Sequence, residues 1–522
     1  IDTSGSDITI SAPLVAPTGQ GVMSVPVTSG GSGYLAHGVI EITGGGGFGA
    51  TGVPVLDASG HVTGIQITNP GVGYTSVPTV QLVGGGGSGA TFGAATLANN
   101  ASGGITKVGA GMLTLTGANT YGGDTTVNDG TLQQGAFGAI PSGPGAGNVV
   151  VNGGDATGGI FDINGMDTPI NGLGGAGGAI PGQVVNNVGG SAATLTLGNN
   201  NATATFGGQV NDNSNQAAGT IALTKEGTGV QTLGGVNGYT GATTVNNGTL
   251  RVTGSIFASS GVTVANATAT FEAGATQTVK NLNLQGGGAK VTSPAAGPRS
   301  VLTVGDNTTP APLAVAAGQK VDLTNNALIV DYTGNDATAL TTVRNLVISG
   351  YHAVPTGANN GDWKGTGITS ANAAADPKGA VGYAAATEIL GPTGGTFMGK
   401  ANVDASSILV RYTLAGDATL DGTVDFNDLV HLAQNYDTTV STKTGSWWFN
   451  GDFTYDGKVD FNDLVKLAQN YNTNLPADPI PGAPANFDAE LARAFALVPE
   501  PGALGFVAAC GFALLGRRRR QI

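Results

Sequence analysis

A 26-residue block occurs twice without a gap. KVGAGMLTLTGANTYGGDTTVNDGTL (107–132) and KEGTGVQTLGGVNGYTGATTVNNGTL (225–250) share 16 of 26 positions at a spacing of 118. In each copy two short runs predict strands: Thr114 and Leu115 with 125–127, and Thr232 and Leu233 with 243–245. Gly and Asn between them tolerate positive φ and mark the corners. A unit this short cannot bury its own apolar face, but stacked coils bury it against their neighbours. The repeat therefore restricts the fold to stacked β coils, a β-solenoid.

Composition agrees with many short strands joined by tight turns. The 522 residues include 91 Gly and are 40% hydrophobic but only 10% charged, whereas a solvated disordered polymer needs high charge and little apolar content. A second repeat, at a spacing of 40, pairs GSGYLAHGVIEITGGGGFGAT (31–51) with GVGYTSVPTVQLVGGGGSGAT (71–91) and predicts strands near 39–42 and 79–82. Its Gly run follows a strand, opens no helix and lacks the Lys and Ser/Thr of a phosphate-binding loop. With one cysteine, Cys510, there is no disulfide framework, and His37, His61, His352 and His431 are too scattered to suggest a metal set. The net charge of −13, without a basic stripe, argues against nucleic acid as a partner. The chain begins at Ile1, which points to a processed start or a fragment.

The 26-residue unit resembles the autotransporter-associated β-strand repeat through Lys107, Gly109, Gly111, Asn119, Tyr121, Thr125, Val127, Gly130, Thr131 and Leu132, and through their equivalents 118 residues on. The resemblance implies a secreted, surface-exposed β-helix. The same idiom continues through 254–410, with strands expected at 328–334 and 407–414 and with Trp363 as a buried anchor rather than a sugar platform.

The acidity is concentrated. Segment 416–474 holds nine Asp against three Lys. Counting twelve-residue loops from Asp417 and Asp452 puts Asp417, Thr419, Asp421, Asp425 and Asp428, and Asp452, Thr454, Asp456, Asp460 and Asp463, at positions 1, 3, 5, 9 and 12. Gly422 and Gly457 fall at position 6, and the carbonyls of Thr423 and Lys458 at position 7. This is the oxygen-ligand spacing of an EF-hand-type calcium loop. After each loop Phe426, Leu429, Val430, Ala433 and Tyr436, and Phe461, Leu464, Val465, Ala468 and Tyr471, recur at helical spacing and predict packed faces. A duplicated loop–helix with 16 of 20 residues shared between 417–436 and 452–471 resembles a type I dockerin. That family implies two Ca²⁺ ions, docking on a cohesin-like protein, and partner-reading positions at Phe426–Asn427 and Phe461–Asn462, whose phenylalanines are expected to face the core.

The tail runs VPEPGALGFVAACGFALLGRRRRQI. Its apolar stretch, 502–516, is short of the roughly 20 residues that span a bilayer comfortably, and a basic cluster follows it. Val498, Pro499, Glu500 and Pro501 with Arg517, Arg518, Arg519 and Arg520 resemble a PEP-CTERM sorting signal, implying export, a transient membrane anchor and processing by an exosortase-type enzyme. The order of parts resembles that of planctomycete surface proteins.

The expected architecture is mainly β: Gly-rich repeats (1–100), repeat solenoid (101–253), further β region (254–410), a small all-α dockerin-like calcium module (411–474), a linker (475–497) and the sorting segment with its hydrophobic helix (498–522). The expected function is a non-enzymatic exported surface or matrix protein with a cohesin-like or polysaccharide partner. The alternative is a carbohydrate-active enzyme carrying a dockerin, although Asp57, Asp162, Glu226 and Glu272 share no motif.

Overall fold

The computed structural model describes residues 1–476 other than 36–37, 101, 214–218, 295–296, 335–336, 353–360 and 443–444. The apolar stretch 502–516 and the motifs at 498–501 and 517–520 lie outside the described residues, and among those described no helix is long and apolar enough to cross a membrane. The chain is mainly β and forms two compact units. One comprises Ile1–Glu272, Gln277–Ala289 and Pro312–Gln319; the other comprises Ala273–Thr276, Lys290–Ala311 and the residues from Lys320 onward.

Alternation builds the solenoid of the first unit. Ala192–Leu197 and Thr220–Lys225 bury every second residue, so each strand offers one row inward and one outward. Strands stack parallel and in register. One inward row runs Leu113, Leu132, Phe161, Val184 and Val210, each fully buried. The chain visits three sheets in rotation: Val149–Val151, Ile160–Asp162 and Thr168–Pro169 occupy one each, and Leu173–Gly174, Gln183–Val185 and Ala192–Leu197 follow in the same order.

The residues shared by the two 26-residue copies close polar groups at the coil corners. Lys107 and Lys225 occupy inward rows beside Val127 and Val245 and are fully buried. The Lys107 ammonium donates to the carbonyls of Val108 (3.1 Å), Gly109 (2.5 Å) and Asp129 (3.0 Å). That of Lys225 donates to Glu226, Gly227 (2.7 Å) and Asn247 (3.2 Å). Tyr121 pairs with the Thr125 hydroxyl at 2.7 Å and Tyr239 with that of Thr243 at 2.8 Å. Asn119 accepts from the Leu14 amide and donates to the Ala139 carbonyl, bridging neighbouring coils.

Ile8–Ile10 also belongs to the solenoid, pairing parallel with Met112–Leu115 about a hundred residues later. Between them the 40-residue repeats form antiparallel sheets. Val39–Thr43 pairs with Thr79–Val83, Val27–Ser32 with Ser88–Phe92, and Gln20–Ser24 with Thr96–Asn99. The two 40-residue repeats pack reciprocally on one another. Gly47 of the first packs on the Tyr74 ring of the second, and Gly87 of the second on Tyr34 of the first; a Cβ at either glycine would meet the ring at 2.5 Å. The Gly run is therefore a seat for an aromatic ring of the other repeat.

The second unit departs from the expected run of β structure. Its strand Ile408–Leu414 is buried throughout and runs antiparallel to both neighbours, Ala327–Val330 and Gly379–Ala385. A fifteen-residue helix, Ala337–Tyr351, interrupts the strands, with Val343, Val347 and Tyr351 buried at a spacing of four. Its Thr-rich sequence resembles the neighbouring strand segments in composition, and only the buried stripe distinguishes it.

Candidate metal-binding loops

The strand Ile408–Leu414 leads directly into the first acidic loop. Leu420 and Tyr455, at position 4 of each loop, take left-handed φ of 55° and 58°, and Gly422 and Gly457, at position 6, take φ of 94° and 87°. These corners curl each loop so that its first carboxylate points inward. The curl continues into helices Phe426–Asn435 and Phe461–Asn470, whose N-caps are Asp425 and Asp460. Asn427 N donates to Asp425 and Asn462 N to Asp460, both at 2.7 Å. Asp428 and Asp463 reach back to accept from the cap amides at 2.8 and 2.9 Å. The loop exits Thr423–Val424 and Lys458–Val459 pair antiparallel with Thr473–Asn474 and Thr438–Thr439, the segments after the opposite helices.

Four of the predicted ligands, Asp417, Asp428, Asp452 and Asp463, have no solvent exposure. Asp417 accepts from Gly422 N (2.8 Å), Asp421 N (3.2 Å) and the Thr413 hydroxyl. Asp463 accepts from Phe453 N (2.8 Å) and from Thr454 N and Oγ1 (both 3.0 Å). Thr419 N and Oγ1 contact Asp428 in the same way. Asp421 and Asp456 accept the amides of Thr423 and Lys458, two residues on. Asp452 differs: Oδ2 accepts from Gly457 N at 2.9 Å, while Oδ1 is buried without a partner.

Burial dominates the electrostatics. It pushes the Asp417 carboxyl up to about 7, against the pull of the Thr413 hydroxyl and the Arg411 guanidinium. It pushes Asp452 up to about 8, with the neighbouring Asp463 charge adding to the shift, and Asp463 up to about 6. Asp428 is raised for the same reason. The carboxylates are turned onto amides of their own loops, and among the described residues no group of three or more His, Cys, Asp or Glu converges to hold an ion. Even so, buried anionic oxygens call for a proton or a cation, because unpaired charge in a dry interior is costly. An oxygen-only donor set with one orphaned carboxylate atom suits a hard cation.

The helical faces fall in a different phase from the sequence expectation. Leu432 and Leu467 are buried, whereas Phe426 and Phe461 are each 66% exposed and Tyr436 and Tyr471 are also exposed. The back-reach of Asp428 and Asp463 sets the rotation, turning their own face inward and the first helical residue outward. Phe426 and Phe461 therefore point to solvent rather than to the core.

Sequence reasoning overlooked the segment joining the two halves. Trp448 is fully buried, donates from Nε1 to the Asp417 carbonyl (2.6 Å) and stacks on Tyr455 at 5.5 Å. The Tyr455 hydroxyl donates to the Val381 carbonyl (2.5 Å), and Tyr383 accepts from Trp447 N (3.1 Å). Ser446 accepts from Ala385 N and donates its own amide to Glu388. Arg344 lies 4.3 Å over the Trp447 ring. Trp363, 4% exposed, packs edge-on to Tyr351 at 5.1 Å, as a buried anchor does. The loops are thus seated on the sheet that precedes them. The Trp-Trp pair between the two copies was the available signal.

The acidic residues considered for catalysis have other partners. Asp57 meets His61 (3.0 Å), Glu272 meets Arg251 (3.0 Å), Glu226 accepts from Asn246 (2.6 Å), and Asp162 accepts from Asn164 N (2.9 Å) in its own turn.

Comparison with known proteins places the repeats in a class. Residues 105–133 and 223–252 match the passenger-associated transport repeat. The adhesin BmaC autotransporter of Brucella suis biovar 1 (strain 1330) is 37% identical over 150 residues, 28% of this chain and 4% of that protein. The chain thus spans a small fraction of the curated relative it matches. No solved structure matches.

Proposed function

We propose that this chain is an exported, non-enzymatic surface or matrix adhesion protein, in which the solenoid displays and the duplicated loops form a dockerin-like module around two Ca²⁺ ions. The match of both corner-forming repeats to passenger repeats supports display, and the similarity to an adhesin supports attachment. The single observation carrying the calcium reading is the buried, partnerless Oδ1 of Asp452 within a loop of oxygen donors.

Asp417, Thr419, Asp421, the Thr423 carbonyl, Asp425 and Asp428 would hold one ion, and Asp452, Thr454, Asp456, the Lys458 carbonyl, Asp460 and Asp463 the other. Bound calcium supplies positive charge that neutralises the buried carboxylates. The chain's own part is to hold the oxygens at the loop corners and to keep water out with Trp448 and Tyr455. The 498–501 motif with Arg517–Arg520 would direct sorting and removal of the tail by an exosortase-type enzyme, after transient anchoring through 502–516. The outward Phe426 and Phe461 leave a surface for a cohesin-like or polysaccharide partner.

Beads coated with the full chain should adhere to bacterial or polysaccharide surfaces several-fold above bare beads in millimolar Ca²⁺, lose that adherence in EDTA, and release no sugar fragments. Fragment release, or adherence no greater than that of bare beads, would refute the reading.

A further inference from the structure

The two repeat copies differ where their last strand ends. Thr131–Gln134 and Gly248–Val252 are equivalent, and each places its final residue inward. In the second copy that residue is Val252, fully buried and apolar, as a coil interior requires. In the first copy it is Gln134, only 2% exposed. An amide at an inward position needs partners, and this one is half supplied. Its Oε1 accepts from the Thr168 hydroxyl at 3.1 Å, while its Nε2 faces only the Met166 thioether at 3.8 Å, a weak acceptor.

The chain between strands also differs. Residues 135–148 link Thr131–Gln134 to Val149–Val151, whereas only 253–261 link the equivalent pair in the second copy. The longer, Gly- and Pro-rich link leaves a cavity of about 440 Å³. Gln134, Tyr121, Thr120, Ser142 and Pro169 line it, and Phe137 stands at its edge, 73% exposed. Among the described residues its lining includes no charged side chain.

We propose that this cleft binds a neutral saccharide, one to two pyranose rings in size. The inference rests on the adhesin reading and names the ligand class for that role. An exposed aromatic face attracts the C–H face of a sugar ring through the negative charge above its plane. The Gln134 amide and the Thr120 and Ser142 hydroxyls offer donors and acceptors for ring hydroxyls. The uncharged lining disfavours uronates and sulfated glycans, which would lose hydration without gaining a counter-charge. The volume lies within the range of small-ligand sites. A proline-rich segment is the competing occupant, but grooves for it are walled by several aromatic rings, and this cleft has Tyr121 in the wall and a single exposed ring.

The test is calorimetric titration of the full chain with neutral gluco-, galacto- and manno-oligosaccharides, their uronate counterparts and a proline-rich decapeptide. At least one neutral oligosaccharide should bind with Kd of about 10⁻⁴–10⁻³ M. Phe137→Ala and Gln134→Val should each weaken it by about tenfold or more. Phe257→Ala, which removes an exposed ring outside the cleft, should leave it unchanged. Gln134→Val installs the second copy's residue, so it should melt no lower than the parent, which separates loss of ligand from loss of fold. Binding of none of the neutral sugars, preference for uronates or the peptide, or parental affinity in both cleft variants would overturn the proposal. Failure of every neutral sugar to bind while bead adherence is retained would overturn it and leave the adhesin reading standing. Saccharide binding without bead adherence would sink the adhesin reading alone.

Discussion

Replacing Lys225 with Met is expected to destabilise the solenoid by about 3–5 kcal/mol, because a dry corner would be left without its donor. Met nearly matches the length of the Lys stem and preserves contacts with the inward row. What it removes is an ammonium that serves the carbonyls of Glu226, Gly227 and Asn247. These carbonyls belong to two successive coils, and a buried carbonyl without a donor costs about 1–3 kcal/mol. Arg cannot substitute, because its planar fork is too large for a point where three carbonyls converge. Urea unfolding should show a lower midpoint with an unchanged slope. A loss below about 1 kcal/mol would mean that the corner rearranges or admits water.

Trp448→Ala is expected to cost about 3–5 kcal/mol in the second unit and to release both acidic loops together. Among the described residues Trp448 is the largest fully buried side chain. Its indole contacts the first loop through the Asp417 carbonyl and the second through Phe453 and Tyr455. Trp448→Phe separates the two roles: it keeps much of the packing but leaves the Asp417 carbonyl without its donor, for a smaller loss of about 1–3 kcal/mol. Near-ultraviolet circular dichroism should lose its aromatic signal in the Ala variant. If both variants melt with the parent, the loops fold independently of the sheet beneath them.

What the sequence revealed depends on how local the deciding contacts are. The coil strands at 112–115 and 125–127 form where alternation places them, because their partners are the next coils of the same pattern. Lys107, Asn119, Tyr121 and Thr125 stood out as shared letters, but their roles as corner donors and acceptors appear only once neighbouring coils are stacked. The curl at Gly422 and Gly457 is legible because the bonds from these glycines to the first carboxylates, Asp417 and Asp452, stay within the loop. The rotation of the helices is not legible from apolar spacing: Phe426 and Leu432 both fit a helical stripe, and the back-reach of Asp428 selects the face. The pairing of Ile8 with Leu113, the bond from Trp448 to the Asp417 carbonyl and the cleft shared by Tyr121, Gln134 and Pro169 each join different coils or loops, which local pattern does not bring together.

We propose that the duplicated acidic loops are calcium sites that organise the second unit. Equilibrium dialysis of the full chain against Ca²⁺, read together with thermal melting across pH, tests it most directly. Asp417 and Asp452 titrate at about 7 and about 8 when folded, above their ordinary value of 3.8. Between that value and the folded ones the native chain holds protons that the unfolded chain has released. In EDTA the melting temperature of the second unit should therefore fall as pH rises from about 4 to about 8. Calcium should restore it at the upper end. Two ions should bind per chain at millimolar calcium and one after Asp452→Asn, with a calcium-dependent rise in melting temperature at about pH 8. No bound ion at millimolar calcium, with melting in EDTA that does not change with pH, would contradict it.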